Sequence, residues 1–331
     1  MSLREAAPGM GAREWVLLLV LALLWAGSFF FYKVLVAEIP PLTIVLGRVG
    51  LAALVLHAVL LARRDPMTHD LKMWRSFAVM GLLNNVIPFT LIVWGEMRIS
   101  SGLASILNAT TPIFTVLAAH VLTQNEKLSW NKAVGVIFGF LGVVALIGPT
   151  ALHHGAVGDV ASETGCLLAA LSYAFAGIYG RRFKGVPLLK VATGQITAST
   201  VILIPLVLGV DRPWRLPLPS ASAFAAWGGI ALFSTALAYL IYFRIIRTAG
   251  ATNVALVTLL LPIGALLLGA TFLDETITMT ALGGMALIGI GLAAIDGRAL
   301  ALVRRRLTSP APATPSPAIA VRLRRSGQRN G

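Results

Sequence analysis

Ten long apolar runs recur along the chain and constrain its fold more than any other feature. They cover approximately residues 15–33, 41–62, 75–95, 101–123, 130–149, 164–180, 187–210, 223–243, 251–273 and 279–296. A helix of about 20 residues crosses a hydrocarbon core about 30 Å thick. Membrane β-strands would alternate apolar and polar residues, and these runs do not. We therefore predict an all-α integral membrane protein with ten transmembrane helices.

The composition agrees with a bilayer as the surrounding solvent. Hydrophobic residues make up 57% of the 331 residues and charged residues only 12%, whereas soluble domains contain about 25% charged residues. The first run exceeds the roughly 7–15 apolar residues of a signal peptide, so we expect it to remain as the first helix. The single cysteine, Cys166, excludes an internal disulfide, and we expect it to be a small buried hydrophobe.

The distribution of positive charge predicts the orientation in the membrane. The chain carries a net charge of +14, with Lys and Arg concentrated in alternate loops and near the C-terminus. The remaining loops hold Lys33, Arg98, Arg212 and Arg215. Because Lys and Arg favour the cytosolic side, we predict a multi-pass protein of the inner (plasma) membrane with both termini cytosolic. This orientation signal explains the charge without a nucleic-acid partner.

The two halves of the sequence repeat each other. Asn125-Glu126 in the first half corresponds to Asp274-Glu275 in the second. Gly135 and Gly142 correspond to Gly284 and Gly291 at the same constant shift along the chain. Gly47-Arg48 matches Gly194-Gln195 at nearly the same shift. Each half holds five runs, and an odd number of crossings inverts the second copy relative to the first. Inverted repeats predict a substrate site near the membrane midplane, around which the two halves rock.

Four segments follow from this reading. We expect a cytosolic N-terminus over 1–14, a first repeat over 15–149 and a second repeat over 164–297. Residues 308–331 are rich in Pro, Ala, Ser and Arg. Such a composition does not form a packed core, so we predict a disordered basic cytosolic tail.

The order of these motifs resembles the EamA family of the drug/metabolite transporter superfamily, over roughly residues 14–297. The resemblance is carried by Leu24-Trp25-Ala26-Gly27-Ser28, Gly47-Arg48, the helix start from Ser101 to Pro112, the Asn125-Glu126 turn with its glycine-rich helix, and the second-half turn Asp274-Glu275 with Gly284, Gly289 and Gly291. It implies a carrier for amino acids, amines, nucleosides or related metabolites, often an exporter. It also implies that helices one, three, four, six, eight and nine line a central cavity, with five and ten at the periphery.

Polar side chains within the apolar runs are the candidates for substrate binding, since such groups usually face protein or water. They are Trp25, Ser28, Asn84, Asn85, Ser105, Asn108, Tyr173, Ser234, Tyr239 and Thr258. For each of them, helix packing or an interhelical hydrogen bond is the alternative. Asn84 and Asn85 point about 100° apart on a helix. We expect one to line the cavity and the other to bond backbone freed by Pro88.

Arg48 has two interpretations. It is the only charged residue well inside a run, so it is either a counter-ion for an anionic substrate group or a structural arginine that caps carbonyls or snorkels outward. We favour the structural role, because helix two does not line the cavity in the family pattern. All acidic residues fall in loops, tails or helix ends by this reading, so we expect no proton- or sodium-binding carboxylate at mid-depth.

These observations predict a secondary transporter that moves a small organic metabolite, an amino acid or related compound, by alternating access. The substrate is neutral, zwitterionic or anionic, and import or export stays open. A channel or scaffold is the alternative. An intramembrane enzyme would need a catalytic pair or an HExxH motif that the sequence lacks, so we expect no enzyme. We expect no metal or cofactor. The lipid bilayer is the other partner, with monomer and homodimer both open.

Overall fold

A computed structural model describes residues 10–124, 128–152, 157–254 and 256–296, and these form helices and no strands. The helices are α1 Ala12–Leu35, α2 Pro41–Ala62, α3 Leu71–Glu96, α4 Ser101–Leu122, α5 Trp130–Leu152, α6 Val157–Tyr179, α7 Leu188–Val210, α8 Ala221–Ala249, α9 Val257–Phe272 and α10 Met279–Asp296. Within the described ranges, nine helices have the length and apolar composition to cross a membrane, and α9 is shorter. The predicted all-α, ten-helix fold is confirmed. The Asn125-Glu126 turn and the tail lie outside the described residues.

Helix pairing follows an approximate two-fold symmetry. Helices α2, α4 and α5 each pack against their own repeat counterpart, which is α7, α9 and α10 respectively. Helix α1 packs against α8 and α9, and its counterpart α6 packs against α3 and α4. Every one of these contacts maps onto itself or onto another when the halves are exchanged. The architecture is therefore that of two inverted five-helix repeats.

Glycines form the seam between α5 and α10. A Cβ atom on Gly135 would lie 2.5 Å from the carbonyl oxygen of Gly291, and one on Gly142 would lie 2.9 Å from that of Gly284. Small residues let membrane helices approach this closely. The first half contributes one glycine to each contact and the second half the other. The glycines that reveal the repeat in the sequence therefore meet at the seam.

Equivalent helices are also interrupted at equivalent places. A π-helical segment occupies Leu82–Val86 in α3 and another occupies Leu232–Leu237 in α8. Helix α4 breaks between Asn108 and Thr111, and a short helix, Ala251–Val254, precedes its counterpart α9. The predicted single ninth helix is therefore divided. Since π-bulges often mark functional sites, the two π segments direct attention to the residues around them.

The sixth helix is longer than predicted. It begins at Val157 rather than near residue 164, so Glu163 lies inside the helix and only 1% of it is exposed. The expectation that every acidic residue falls in a loop, tail or helix end is therefore wrong. Ser162 beside it is fully buried. Ser162 and Glu163, which the predicted run excluded, therefore face protein.

Glu38 joins the two repeats at the start of α8. Its carboxylate accepts hydrogen bonds from the Ser220 hydroxyl at 2.6 Å and from the Ser220 backbone N–H at 2.8 Å. These bonds hold the pKa of Glu38 below its ordinary value. A depressed pKa stabilises the folded state above the ordinary pKa, and that stabilisation is lost as the pH falls through the folded-state pKa.

Glu38→Gln removes this pH dependence. We expect the thermal midpoint of the protein to exceed that of Glu38→Gln near neutral pH, with the difference shrinking as the pH is lowered from about 6 to about 3. Paired unfolding curves in one detergent measure it. A difference that stays constant over this range would show that the carboxylate charge does not stabilise the start of α8.

Candidate functional site

The first of two buried polar clusters is centred on Arg48, eight residues into α2. Its Nε donates to Thr235 Oγ1 at 2.9 Å, and Nη1 donates to the Tyr32 hydroxyl. The guanidinium carbon lies 3.8 Å from the centre of the Phe89 ring. Only 4% of Arg48 is exposed. We call these four residues the Arg48 cluster, and they join α1, α2, α3 and α8.

The second cluster is centred on Gln195 of α7, the residue that matches Arg48 in the repeat. Asn84 Nδ2 donates to Gln195 Oε1 at 3.2 Å and to the Tyr239 hydroxyl at 3.3 Å. Gln195 Nε2 also donates to the Tyr239 hydroxyl, at 3.3 Å. We call these three residues the Gln195 cluster. Each cluster joins residues of both repeats, because Arg48 meets Thr235 and Gln195 meets Asn84.

Several buried polar atoms near the clusters have no hydrogen-bond partner within the described residues. They include Ser28 Oγ and Ser234 Oγ. Ser28 lies one helical turn before Tyr32, and Ser234 precedes Thr235. A Cβ on Gly27 would lie 3.6 Å from Ser234 Oγ, so α1 and α8 touch there. A buried polar atom without a partner costs about 1–3 kcal/mol, so native proteins retain few of them.

The structure brings several predicted site residues together. Asn84 and Tyr239 share the Gln195 cluster, while Ser28 and Ser234 lie beside the Arg48 cluster. Tyr173 interacts electrostatically with Arg48 and Tyr239, which places it near both clusters.

Trp25 packs at the contact between α1 and α8. Its ring centre lies 5.5 Å from that of Tyr242, where α1 meets α8. It also packs against the main hydrophobic core.

Asn85 has a different position. It is fully buried, and its Nδ2 donates to Ser199 Oγ at 3.1 Å, which ties α3 to α7. The expectation that one asparagine bonds backbone freed by Pro88 is therefore wrong. In the π segment, the Ile87 N–H donates to the Leu82 carbonyl. The widened turn thus changes which backbone carbonyls need a hydrogen-bond partner. One of them, the Leu83 carbonyl, accepts from the Ser172 hydroxyl at 2.7 Å.

Two further candidates lie in α4. The buried Ser105 hydroxyl donates to the Gly102 carbonyl of its own helix at 2.6 Å. Asn108 lies at the break, where the Thr111 hydroxyl donates to its carbonyl at 2.7 Å and so replaces the N–H that Pro112 lacks. The Asn108 side-chain oxygen has no hydrogen-bond partner within the described ranges.

Thr258 lines a separate crevice of about 20 Å³, together with Ile106 of α4 and Met285 of α10. Such a volume holds about one water molecule, so it could not hold a metabolite in this conformation. Thr258 takes part in none of the hydrogen bonds described for the two clusters. Its role in substrate binding stays a prediction.

Three members of the clusters, Tyr32, Gln195 and Thr235, are not among the substrate-binding residues predicted from the sequence. Arg48 is predicted there with two alternative roles, of which the structural one is favoured. Arg48 neither snorkels nor caps carbonyls, because its bonds go to two side-chain hydroxyls. The sequence feature that could have identified both clusters is that Arg48 and its repeat counterpart Gln195 are both strongly polar residues within apolar runs.

Comparison with known proteins agrees with this architecture. The "Uncharacterized inner membrane transporter YedA" of Escherichia coli strain K12 is 28% identical over 284 residues, which cover 84% of this chain and 87% of that protein. The "Uncharacterized transporter YoaV" of Bacillus subtilis strain 168 is 24% identical over 273 residues, which cover 82% of this chain and 92% of that protein. The "Probable terminal-alkyne amino-acid exporter" of Streptantibioticus cattleyicolor is 28% identical over 319 residues, which cover 89% of this chain and 97% of that protein.

Structural and family comparisons complete the identification. A solved crystal structure of a protein that is 19% identical has a TM-score of 0.60 and covers 86% of this chain and 97% of its own, which shows the shared fold alone. The model of the EamA-like transporter family matches residues 13–148 and again residues 162–295. The protein is a multi-pass membrane protein, and its chain belongs to the EamA-like transporter family, whose domain it contains twice.

Proposed function

We propose that the protein is a secondary transporter that moves a small organic metabolite, an amino acid or related compound, across the inner membrane by alternating access. The observation that carries this proposal is the position of the two polar clusters between the inverted repeats. The bond from Arg48 to Thr235 and the bond from Asn84 to Gln195 each cross from one repeat to the other. A rocking motion of the repeats would therefore rearrange the very groups that bind a substrate.

The proposed cargo and direction rest on the relatives. One relative of 28% identity is named as a probable terminal-alkyne amino-acid exporter, and another is named as an inner membrane transporter. These names favour an amino acid as the cargo, the inner membrane as the location and export as the direction. The proposed orientation, with both termini in the cytosol, rests on the distribution of Lys and Arg.

Counterflow in proteoliposomes tests the proposal. Vesicles holding purified protein are preloaded with one unlabelled amino acid and diluted into the same labelled compound, for each of the twenty standard amino acids. We expect at least one to show saturable uptake that the internal unlabelled compound stimulates, because a carrier must return its site across the membrane. Flux that is linear in concentration and insensitive to preloading would indicate the channel alternative.

Two tyrosines of α8 provide a matched pair of variants. The Tyr239 hydroxyl accepts two hydrogen bonds in the Gln195 cluster, whereas the Tyr242 hydroxyl makes none within the described residues. Tyr239→Phe should therefore weaken binding of the transported amino acid about fivefold, since a hydrogen bond contributes about 1 kcal/mol. Tyr242→Phe should change it less than twofold. Half-saturation concentrations from the counterflow assay measure both, and equal effects would contradict a role for the cluster.

A further inference from the structure

The positive charge of Arg48 has no negative partner among the residues that the structure describes. Its hydrogen bonds go to the hydroxyls of Thr235 and Tyr32, and it forms no described ion pair. A guanidinium stays charged in proteins, and a buried charge within a membrane bundle is costly unless it is paired. Such residues usually mark a substrate or ion pathway.

One buried acidic residue, Glu96 of α3, is a candidate for an internal counter-ion. Glu96 is fully buried at the end of α3 and interacts electrostatically with Lys33, Glu275 and Tyr32, whereas it forms no ion pair with Arg48 among the described residues. Lys33 in turn donates to the backbone carbonyls of Glu96 and Ile99, both at 2.8 Å. Within the described ranges, no carboxylate thus pairs with Arg48, so a ligand carboxylate would be its first anionic partner there.

The guanidinium has unused donors at its end. Nε and one N–H of Nη1 are engaged, and Nη2 has no partner within the described part of the chain. The Phe89 ring covers one face, with the guanidinium carbon 3.8 Å from its centre. A ligand must therefore approach in the guanidinium plane, where a carboxylate can accept two parallel N–H bonds.

Neighbouring hydroxyls extend this anion site. Ser28 Oγ and Ser234 Oγ are buried and unpartnered within the described residues, and each lies close in sequence to a residue that Arg48 contacts. They offer neutral donors on the two helices, α1 and α8, to which Arg48 is hydrogen-bonded. One guanidinium balances one negative charge, whereas a doubly charged phosphate would need a second cation. The second cluster supplies only amides and a phenol.

We propose that Arg48 anchors a single carboxylate group of the transported molecule, an inference that rests on the proposed transport function. The neutral Gln195 cluster, at the equivalent place of the other repeat, then contacts the uncharged polar remainder. The exchange of arginine for glutamine between the repeats makes the two ends of the site chemically different, so the site orients its substrate.

The test compares compounds that differ only in the carboxylate. Each amino acid is assayed by counterflow beside its amide and its decarboxylated amine, with the unaltered protein, Arg48→Lys and Arg48→Gln. We expect the unaltered protein to take up the acid at least tenfold better than the amide. Arg48→Gln should remove this preference, and Arg48→Lys should keep part of it, because it retains the charge but not the planar fork.

The outcomes separate the inference from the function on which it rests. A merely structural arginine would lower uptake of acid and amide equally in Arg48→Gln, and this result would overturn the inference. Amides or amines taken up as well as acids by the unaltered protein would also overturn it, yet leave the transporter standing. Absence of counterflow for every compound would overturn both. If Arg48→Gln does not fold, the acid and amide comparison on the unaltered protein decides the question.

Discussion

Replacing Gly291 with valine should destabilise the protein by about 3 kcal/mol, the upper range for forcing extra atoms into a packed interior. A Cβ at Gly291 would lie 2.6 Å from the Gly135 carbonyl oxygen and 2.9 Å from the Gly139 nitrogen. Both atoms belong to the backbone of α5 and cannot turn away as a side chain could. The helices must therefore separate along the whole seam, which also removes the contacts of Gly142 with Gly284.

Gly283→Val is the matched control for this prediction. Gly283 lies on the same helix, and a Cβ there meets no atom within 4 Å. Both variants place the same β-branched residue in α10, so the difference between them isolates the seam. Thermal midpoints and the yield of monodisperse protein in detergent measure the effect. Equal midpoints for Gly291→Val and Gly283→Val would show that the seam does not hold the repeats together.

Glu275→Ala should have the second large effect, also about 3 kcal/mol. The Glu275 carboxylate accepts hydrogen bonds from the Ser101 N–H and hydroxyl, both at 2.8 Å, and from the Gly102 N–H at 3.3 Å. Hydrogen bonds to charged groups contribute about 1.5–3 kcal/mol each, although removing several together is not additive. The loop between α9 and α10 thus caps α4 of the other repeat, where unpaired N–H groups need acceptors.

The adjacent Thr276→Ala is the control for this cap. Thr276 is exposed and lines the same cavity of about 340 Å³ as Glu275, between α4, α9 and α10. We expect its free energy of unfolding to stay within about 0.5 kcal/mol of that of the unaltered protein, as for most surface substitutions. Guanidinium or thermal unfolding followed by tryptophan fluorescence measures both. A Glu275→Ala midpoint as high as that of Thr276→Ala would contradict the cap.

Acidic residues cap helices of the opposite repeat at three places. Glu275 caps α4, Glu38 bonds Ser220 at the start of α8, and Asp211 accepts from the Thr43 N–H and hydroxyl at the start of α2. Sequence could not predict these pairs, because each joins residues that lie more than a hundred positions apart. A capping acid is recognisable in sequence only when it belongs to the helix it caps.

The helix count and the inverted repeats were predictable for a physical reason. Each apolar run must be long enough to cross the bilayer, and a helix seam at backbone distance requires glycine at fixed positions such as Gly135 and Gly291. Both requirements leave a pattern in the sequence. The sixth helix was the exception, since its buried polar residues, including Ser162 and Glu163, interrupt that pattern.

The polar clusters were only partly predictable. Sequence gives the depth of Arg48 and the face of a regular helix, but not that Thr235 of α8 lies opposite. The π segments add a further obstacle, because one extra residue in a turn rotates the following side chains by about 100°. Asn84 and Asn85 lie in such a segment. That they have separate partners agrees with an ideal helix, but the widened turn prevents an ideal helix from predicting that these partners are Gln195 and Ser199.

Thiol labelling from each side of the membrane tests the central proposal, a polar site between the repeats that opens alternately to both faces. Ser28→Cys and Ser234→Cys are introduced separately into a Cys166→Ala background, since Cys166 is fully buried. A membrane-impermeant thiol reagent is applied to right-side-out and inside-out vesicles. We predict that each cysteine reacts from both faces and that a transported amino acid slows both reactions. Reaction from one face alone, with and without the amino acid, would contradict alternating access.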